Sequence, residues 1–397
     1  MSQISNLNFD NTQKAFAHKP NYELIRDYQI FRLINQSWLV NFGTRAASRL
    51  MSFGIKTPVA IGMKPTVYAT FCGGDSLQHS TQKINQLYKY KVQSILDYGV
   101  EGKENEEDFV RTFNAIKEAI LFAKDNDAVD IVCSKFTGLI PFHILEKMHI
   151  EETLSDEENE ILVKSKERIY LLAQLAYDNN VSLFVDAEES WIQQPLDDLT
   201  FDLMAKFNKE KPIIYNTVQF YRKDRLQFFK NVVNSAKHAG FIYAAKLVRG
   251  AYMEKEEKRA KKLNYENPIQ TSKQNTDDDY NEALKFAINN IENVAVCVAT
   301  HNEQSTLVAT QLMQKKQLLN NHKHVFFSQL YGMSDNITFN LADAGYNTSK
   351  YMPYGPVKDV IPYLIRRAQE NTSVSGQMGR ELKLLKDEVR RRKLFTW

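Results

Sequence analysis

One alternation constrains this chain more than any other feature. Between Ser94 and Glu370, short apolar or β-branched runs take turns with segments of helical period. The runs are Ser94–Val100, Asp130–Phe136, Val181–Asp186, Ile213–Phe220, Phe241–Val248, Val294–Thr300, His324–Leu330 and Thr348–Tyr351. The helical segments are Glu107–Ala123, Asp156–Tyr177, Pro195–Lys209, Lys223–Ala239, Asp278–Asn290, Gln304–Asn320, Ser334–Ala344 and Val357–Glu370. Strand then helix, eight times over, predicts an α/β fold of the (β/α)8 TIM-barrel type. A charged helix, Gly379–Lys393, closes the chain.

Residues 1–90 read as an N-terminal helical arm ahead of a barrel domain, 91–397. The first twenty residues are polar and look loosely held. From Tyr22 to Ser52 the apolar residues keep helical spacing, as in Ile30, Leu33, Ile34 and Trp38. Gly54–Gly74 reads as a connection, and Thr81–Lys91 as helix again. Two insertions interrupt the barrel pattern. Glu151–Glu160 is acidic and runs into a helix. Glu254–Asn267, EKEEKRAKKLNYEN, follows the fifth strand and reads either as a solvated helix face or as a lid, since loops after barrel strands lie over the active site.

Composition removes several function classes. The 397 residues hold 51 basic and 48 acidic side chains, a net charge of +3, so there is no electrostatic footprint for nucleic acid. No apolar run approaches the roughly 18 residues of a membrane span. The first twenty residues contain no Arg and no apolar core, so no secretory or transit signal is visible. Cys72, Cys133 and Cys297 are far apart, without metal-ligand spacing; they read as small core residues and free thiols of a reducing, cytoplasmic compartment.

In a barrel of this kind the strands' C-terminal ends face the active site. The second run ends at Lys135 and the third in Asp186, Ala187, Glu188 and Glu189. The fourth carries Gln219. The fifth carries Lys246 and Arg249, then Gly250, Ala251 and Tyr252. The sixth ends in Thr300, His301 and Asn302, the seventh in Gln329 and Leu330, and the eighth at Tyr351. One polar strand end is usually a satisfied structural group; several on one rim point to a site. A lone histidine such as His301 is more often structural than a ligand. No carboxylate or cysteine cluster accompanies it, which disfavours metal chemistry. No Ser or Cys shows an activation motif, and no G-x-G-x-x-G follows a strand. On the last barrel helix Tyr363, Arg366, Arg367 and Glu370 stand at i, i+3, i+4 and i+7 and share one face. Adjacent guanidinium groups suit a carboxylate or phosphate, and Glu370 could brace Arg367; the same face also fits an amphipathic surface helix with ordinary ion pairs.

The wording of these segments adds a resemblance. YMPYGPVKDVIPYLIRRAQEN, KLVRGAY at Lys246–Tyr252, VDAEES at Val185–Ser190, ATHN at Ala299–Asn302 and FCGGD at Phe71–Asp75 together resemble the proline dehydrogenase family, in the family's order, from about Phe71 to Asn371. That family folds as a distorted (β/α)8 barrel and carries FAD. It oxidises L-proline to Δ1-pyrroline-5-carboxylate, the first step of proline catabolism to glutamate, with hydride passing to the flavin and electrons on to a quinone.

The resemblance implies that Arg366 and Arg367 clamp the proline carboxylate with Lys135 as a third cation, and that Glu370 buttresses the arginines. Tyr351, Tyr363 and Leu330 would wall the ring. Asp186 and Lys246 would form the catalytic pair beside the flavin. Gln219, Val248, Arg249, Gly250 and Ala251 would bind the cofactor, together with Thr271, Ser272 and Lys273 in PIQTSKQNTD and with Thr300, His301 and Asn302. One departure stands out: Lys246 comes first and Arg249 fourth in the fifth-strand motif, where many bacterial relatives have the reverse. No aldehyde dehydrogenase or DNA-binding segment is visible, so the chain reads as the monofunctional form.

A 4-hydroxyproline dehydrogenase of the same family is the nearest rival. The bulky Tyr351 leaves little room for a substrate hydroxyl and argues against it. A non-catalytic amino-acid-binding barrel is the rival from another class; the presence of Arg366, Arg367, Asp186 and His301 speaks against it. A quinone acceptor implies peripheral membrane contact, for which the C-terminal segment with Leu382, Leu384, Leu385 and Trp397 is the best candidate, although an ordinary surface helix also explains it.

Overall fold

The computed structural model describes residues 7–36, 49, 56–99, 105–373 and 377–394; the side chains of 56, 366–373 and 377–378 fall outside the description. In chain order the elements begin with α1 (Thr12–Ala15), α2 (Asn21–Ile34), α3 (Lys56–Met63), α4 (Leu77–Tyr88) and β1 (Val92–Tyr98). There follow α5 (Glu106–Lys124), β2 (Ile131–Ser134), α6 (Phe142–His149), α7 (Asp156–Asp178), β3 (Ser182–Val185), α8 (Ser190–Phe207) and β4 (Ile214–Gln219). Next come α9 (Arg225–Ala239), β5 (Tyr243–Val248), α10 (Met253–Leu263), α11 (Lys273–Asn289) and β6 (Val294–Ala299). The chain ends with α12 (Glu303–Lys315), β7 (Val325–Leu330), α13 (Asp335–Asp343), β8 (Thr348–Tyr354), α14 (Val357–Ser373) and α15 (Gln377–Arg391). The strands form a closed barrel in the order β1 to β8, as the alternation predicts. Two compact units divide the chain, 102–328 and the two flanking segments together.

Within 102–328 neighbouring strands pair in parallel, with Cys133 opposite Phe184, Thr217 opposite Lys246 and Lys246 opposite Cys297. β2 and β4 are buried throughout. Burial on both faces is why these strands read as continuous apolar runs rather than alternating ones. Several helices differ from expectation, α8 and α6 among them. α8 starts at Ser190, five residues before the expected Pro195, and holds that proline in its interior. An unforeseen α6 follows β2. The acidic stretch Glu151–Glu160 runs into α7, which starts at Asp156 as expected: Ser155 and Glu158 form a reciprocal capping box, and Asp156, Glu157 and Glu158 sit where the helix dipole favours negative charge.

In the other unit β1 pairs with β8 along its whole length, Val92 opposite Thr348 through Tyr98 opposite Tyr354. β8 therefore runs three residues beyond the expected Tyr351. The connection expected over Gly54–Gly74 contains α3 and a π-helical turn, Lys64–Tyr68. The amino-terminal stretch, expected to be loosely held, is packed: Phe9, Ala15 and Phe16 are buried. Phe16, Leu24 and Phe31 share a core with Phe71, Leu364, Leu384, Leu385 and Val389, so α1 and α2 join α14 and α15 in one apolar cluster.

A charged knot lies within this unit. The Asp335 carboxylate is 2.7 Å from Lys350 Nζ and 3.0 Å from Lys19 Nζ, and Lys19 is 2.5 Å from Asp27. Burial opposes the charge on Asp335, yet Lys19 and Lys350 outweigh it and hold its pKa far below the ordinary range. Such a pair is costly to break, because one buried charge is left without its counterion. Asp335→Asn is therefore expected to lose about 3–5 kcal/mol, measured by urea unfolding; a loss under about 1 kcal/mol, the range of exposed pairs, would show that the knot is not structural.

Candidate active site

The strand ends of 102–328 are wired to one another before any ligand is considered. Asp186, just past β3, is held by its own N–H, which donates to the Ser134 carbonyl at 2.9 Å. Its carboxylate accepts a short hydrogen bond from Lys246 Nζ on β5 and lies 3.0 Å from Cys133 Sγ and 4.0 Å from Lys135 Nζ. Burial would raise the Asp186 pKa, but Lys246 and then Lys135 hold it well below the usual carboxylate range. Burial would likewise lower Lys246; Asp186 more than reverses this and keeps the ammonium charged. The pair therefore stays ionised inside the barrel, and with Lys135 the trio carries a net positive charge.

β4 lies between these strands and contributes Gln219, which is 2% exposed. Its Nε2 donates to the Glu188 carbonyl at 3.0 Å, while its Oε1 is buried without a donor. An orphaned buried acceptor is uncommon and asks for an unseen partner. A flavin's imide N–H is a donor of the right kind, so this residue fits the cofactor that the sequence motifs imply.

After β5 the chain turns at Gly250, with φ +145°. A Cβ there would stand 2.2 Å from the Tyr221 ring, so glycine is required both by conformation and by space. The carbonyls of Val248 and Arg249 accept from the N–H groups of Phe220 and Tyr221 at 2.9 and 2.7 Å. The Arg249 guanidinium serves as a strut. It donates to Asp277 at 2.7 Å, Thr300 Oγ1 at 2.7 Å and Ser305 Oγ at 3.0 Å, and sits 4.4 Å from the Tyr280 ring centre. Thr300 and Asn302 belong to the same arrangement. Thr300 Oγ1 also accepts from Asn302 N–H at 3.1 Å, and Asn302 caps α12 by accepting from Ser305 N–H. His301 between them is partly exposed. Thr271 and Ser272 open α11, where both hydroxyls accept from Asn275, and Lys273 pairs with Asp277. Ala251 is exposed beside Gly250.

In the other unit Tyr351 on β8 is buried, and its carbonyl accepts from Tyr331 N–H at 2.8 Å. Tyr363 belongs to the apolar core and Leu330 packs against it. Arg366, Arg367 and Glu370 lie on α14, and their side chains fall outside the described residues. The apolar face of the C-terminal segment is turned inward: Leu384 and Leu385 are buried and Leu382 packs on the same core, which removes them as an exposed membrane-facing stripe. Trp397 lies outside the described residues.

The sequence reading missed several supporting residues. Asp277 and Ser305 hold Arg249. Thr137 holds Glu188, donating to its carboxylate from both N–H (3.2 Å) and Oγ1 (2.8 Å). Burial pushes the Glu188 pKa up to about 7, against those hydrogen bonds and with help from Glu189. No motif marks Thr137 or Ser305. Asp277 alone carried a signal, standing four residues after Lys273 on one helix face.

A closed parallel barrel with a buried acid–lysine pair and an orphaned amide at its strand ends defines an α/β-barrel enzyme. The chain belongs to the proline dehydrogenase family: the model of that family, described as proline dehydrogenase, matches residues 80–380. It is 31% identical to "Proline dehydrogenase 1, mitochondrial" of Dictyostelium discoideum, over 96% of this chain and 74% of that one. It is also 30% identical to "Hydroxyproline dehydrogenase" of Xenopus laevis, over 95% of this chain and 89% of that one. Among solved structures it resembles proline utilization A from Bdellovibrio bacteriovorus, inactivated by N-propargylglycine, with a TM-score of 0.72 at 22% identity. That match covers 91% of this chain but spans only 39% of the longer protein, and it bears on fold alone. Membership makes the chain a flavin oxidoreductase.

Glu188 gives a pH-dependent consequence. Its folded pKa lies above the ordinary value of 4.5, so its stabilising protonated form is fully present below pH 4.5 and is lost as pH rises through about 7. Glu188→Gln is expected to flatten the fall in melting temperature between those pH values; an unchanged slope would remove Glu188 as its source.

Proposed function

We propose that this protein oxidises L-proline to Δ1-pyrroline-5-carboxylate with bound FAD and hands the electrons to a quinone. The observation that carries the cofactor part is the unpartnered Gln219 Oε1 on the strand between the two that bear Asp186 and Lys246. When bound, FAD supplies the hydride acceptor. In this reading Gln219 accepts from the cofactor, Lys246 keeps a positive charge beside it, and Asp186 holds that lysine in place. The segment Val248–Ala251, the α11 start at Thr271–Lys273, and Thr300 to Asn302 contribute the remaining cofactor contacts.

Proline is a small zwitterion, so its carboxylate is the handle by which it must be oriented. Arg366 and Arg367 take that carboxylate, each able to give two parallel hydrogen bonds, with Lys135 as a further cation and Glu370 bracing the arginines. Leu330, Tyr351 and Tyr363 confine the ring. Tyr351 also favours proline over 4-hydroxyproline, because its ring fills the space a hydroxyl would need. The resemblance to a hydroxyproline dehydrogenase keeps that substrate as the second reading. A quinone acceptor brings peripheral membrane contact with it and leaves the protein in the cytoplasm or at the inner face of a membrane. No helix among the described residues is long and apolar enough to cross one.

An anaerobic absorption spectrum tests both readings. The purified protein should be yellow and should bleach on adding L-proline. Bleaching by trans-4-hydroxyproline alone would reverse the order of substrates, and no bleaching by either would sink the dehydrogenase reading. Arg366→Met should raise KM for proline about 10- to 100-fold, as expected for removing charged hydrogen bonds of about 1.5–3 kcal/mol, with flavin content unchanged. Lost flavin in that variant would move Arg366 from substrate to cofactor.

A further inference from the structure

The charged run after β5 has a second face. α10 is solvated along Lys258, Lys261 and Lys262, yet Glu256 on the same helix is completely buried. Its Oε1 accepts from Ser190 N–H at 2.7 Å and its Oε2 from Ser190 Oγ at 2.6 Å. The neighbours on either side repeat the match. Lys255 Nζ lies 2.7 Å from Glu189, and the Arg259 guanidinium sits 4.4 Å from the Trp191 ring centre and 3.2 Å from Glu146 on α6. Residues 255, 256 and 259 thus meet 189, 190 and 191 in order, which no merely solvated helix needs. Positive-φ backbone flanks α10: Gly250, three residues before it, at φ +145°, and its C-cap Asn264 at φ +55°. The helix lies between these two turns and is fastened through Lys255, Glu256 and Arg259.

We infer that Glu256 is the latch of a lid: its bond to Ser190 holds α10 against α8 and thereby keeps the Arg249–Tyr252 segment closed on the flavin. Glu256 is a positioning residue, since the segment it fixes, and not Glu256 itself, meets the cofactor. The physical logic is an exchange. A carboxylate buried at the start of α8 is favourable while both Ser190 donors meet it, and is replaced by hydration when the helix lifts. The open and closed forms then differ by few interactions, as a lid requires. The inference rests on the flavin reading of the β5 segment proposed above.

The test uses the full chain loaded with FAD. Flavin release after dilution is followed by the rise in flavin fluorescence, and tryptic cleavage at Lys258, Arg259, Lys261 and Lys262 is followed by mass spectrometry. Glu256→Ala should speed both by about 10-fold or more, the factor expected for losing a buried charged hydrogen-bond pair. Lys255→Ala with Arg259→Ala changes only the rim of the docking face; it should speed release and cleavage at the remaining lysines in the same direction by about 2- to 5-fold. This second variant decides the matter if Glu256→Ala does not fold. Faster cleavage with unchanged flavin release overturns the lid, because the helix would then be fastened for stability alone. No change in either overturns the latch. A wild-type protein that takes up no FAD overturns the cofactor reading, and the latch with it.

Discussion

Asp186, just past β3, and Lys246 on β5 have β4 between them, and neither could remain charged where it is without the other. Burial disfavours both ions, and their mutual attraction reverses that for each. The pair therefore fixes two strand ends at a set separation across Gln219. Gln219 Nε2 is already engaged by Glu188, whose carboxylate is held by Thr137 next to Lys135 on the β2 side. A chain of short contacts thus runs from β2 to β5 and orients every cationic group on that arc. Mobility in one member would loosen the others, which is why the expected catalytic residues and the unforeseen supporting ones cannot be separated energetically.

The other unit solves a different problem with the same means. Its apolar core is assembled from the two ends of the chain, α1 and α2 with α14 and α15, so it depends on segments far apart in sequence. Apolar packing alone would tolerate sliding of these helices. The knot of Lys19, Asp27, Asp335 and Lys350 does not, because each ion must meet its partner to within about 3 Å. Glu381 on α15 adds a proton-dependent element. It is buried, accepts from Ser334 N–H at the start of α13, and is pushed up to about 7 by burial and by Asp335. The charged groups thus tie α2 and α15 to the start of α13 and to β8, while α14, the helix that bears Arg366 and Arg367, joins them through the apolar core.

Much of this was legible in the sequence. Parallel strands buried on both faces write themselves as continuous apolar runs, so all eight strands and their order were visible, to within a few residues at the ends. The strand-end polar groups were visible because they break those runs abruptly, as at Asp186, Gln219 and Lys246. What was hidden depends on tertiary contact. Phe16 carries no periodic signal and is buried in a core that it shares with Leu364 of α14 and with Leu384 and Leu385 of α15. Pro195 pointed to a helix start that the structure places at Ser190. The same Ser190 receives Glu256 from 66 residues away, a partnership that no local pattern encodes. The leucines of the C-terminal helix looked available for a membrane for the same reason: periodicity defines an apolar face but not what it packs against.

The exchanged positions of lysine and arginine in the fifth-strand motif can be understood from what each side chain meets here. At position 246 the partner is one carboxylate in a narrow buried space, which an ammonium satisfies as a compact point charge. At position 249 three acceptors, Asp277, Thr300 and Ser305, stand around an aromatic face, and a planar fork with five donors can reach all of them and stack on Tyr280. The order Lys then Arg is thus matched to its surroundings as a unit. Swapping the two residues in this chain would leave three acceptors around a single ammonium and a planar fork in a narrow space with one carboxylate. On this argument Arg249 acts chiefly as the strut that aligns β5 with β6.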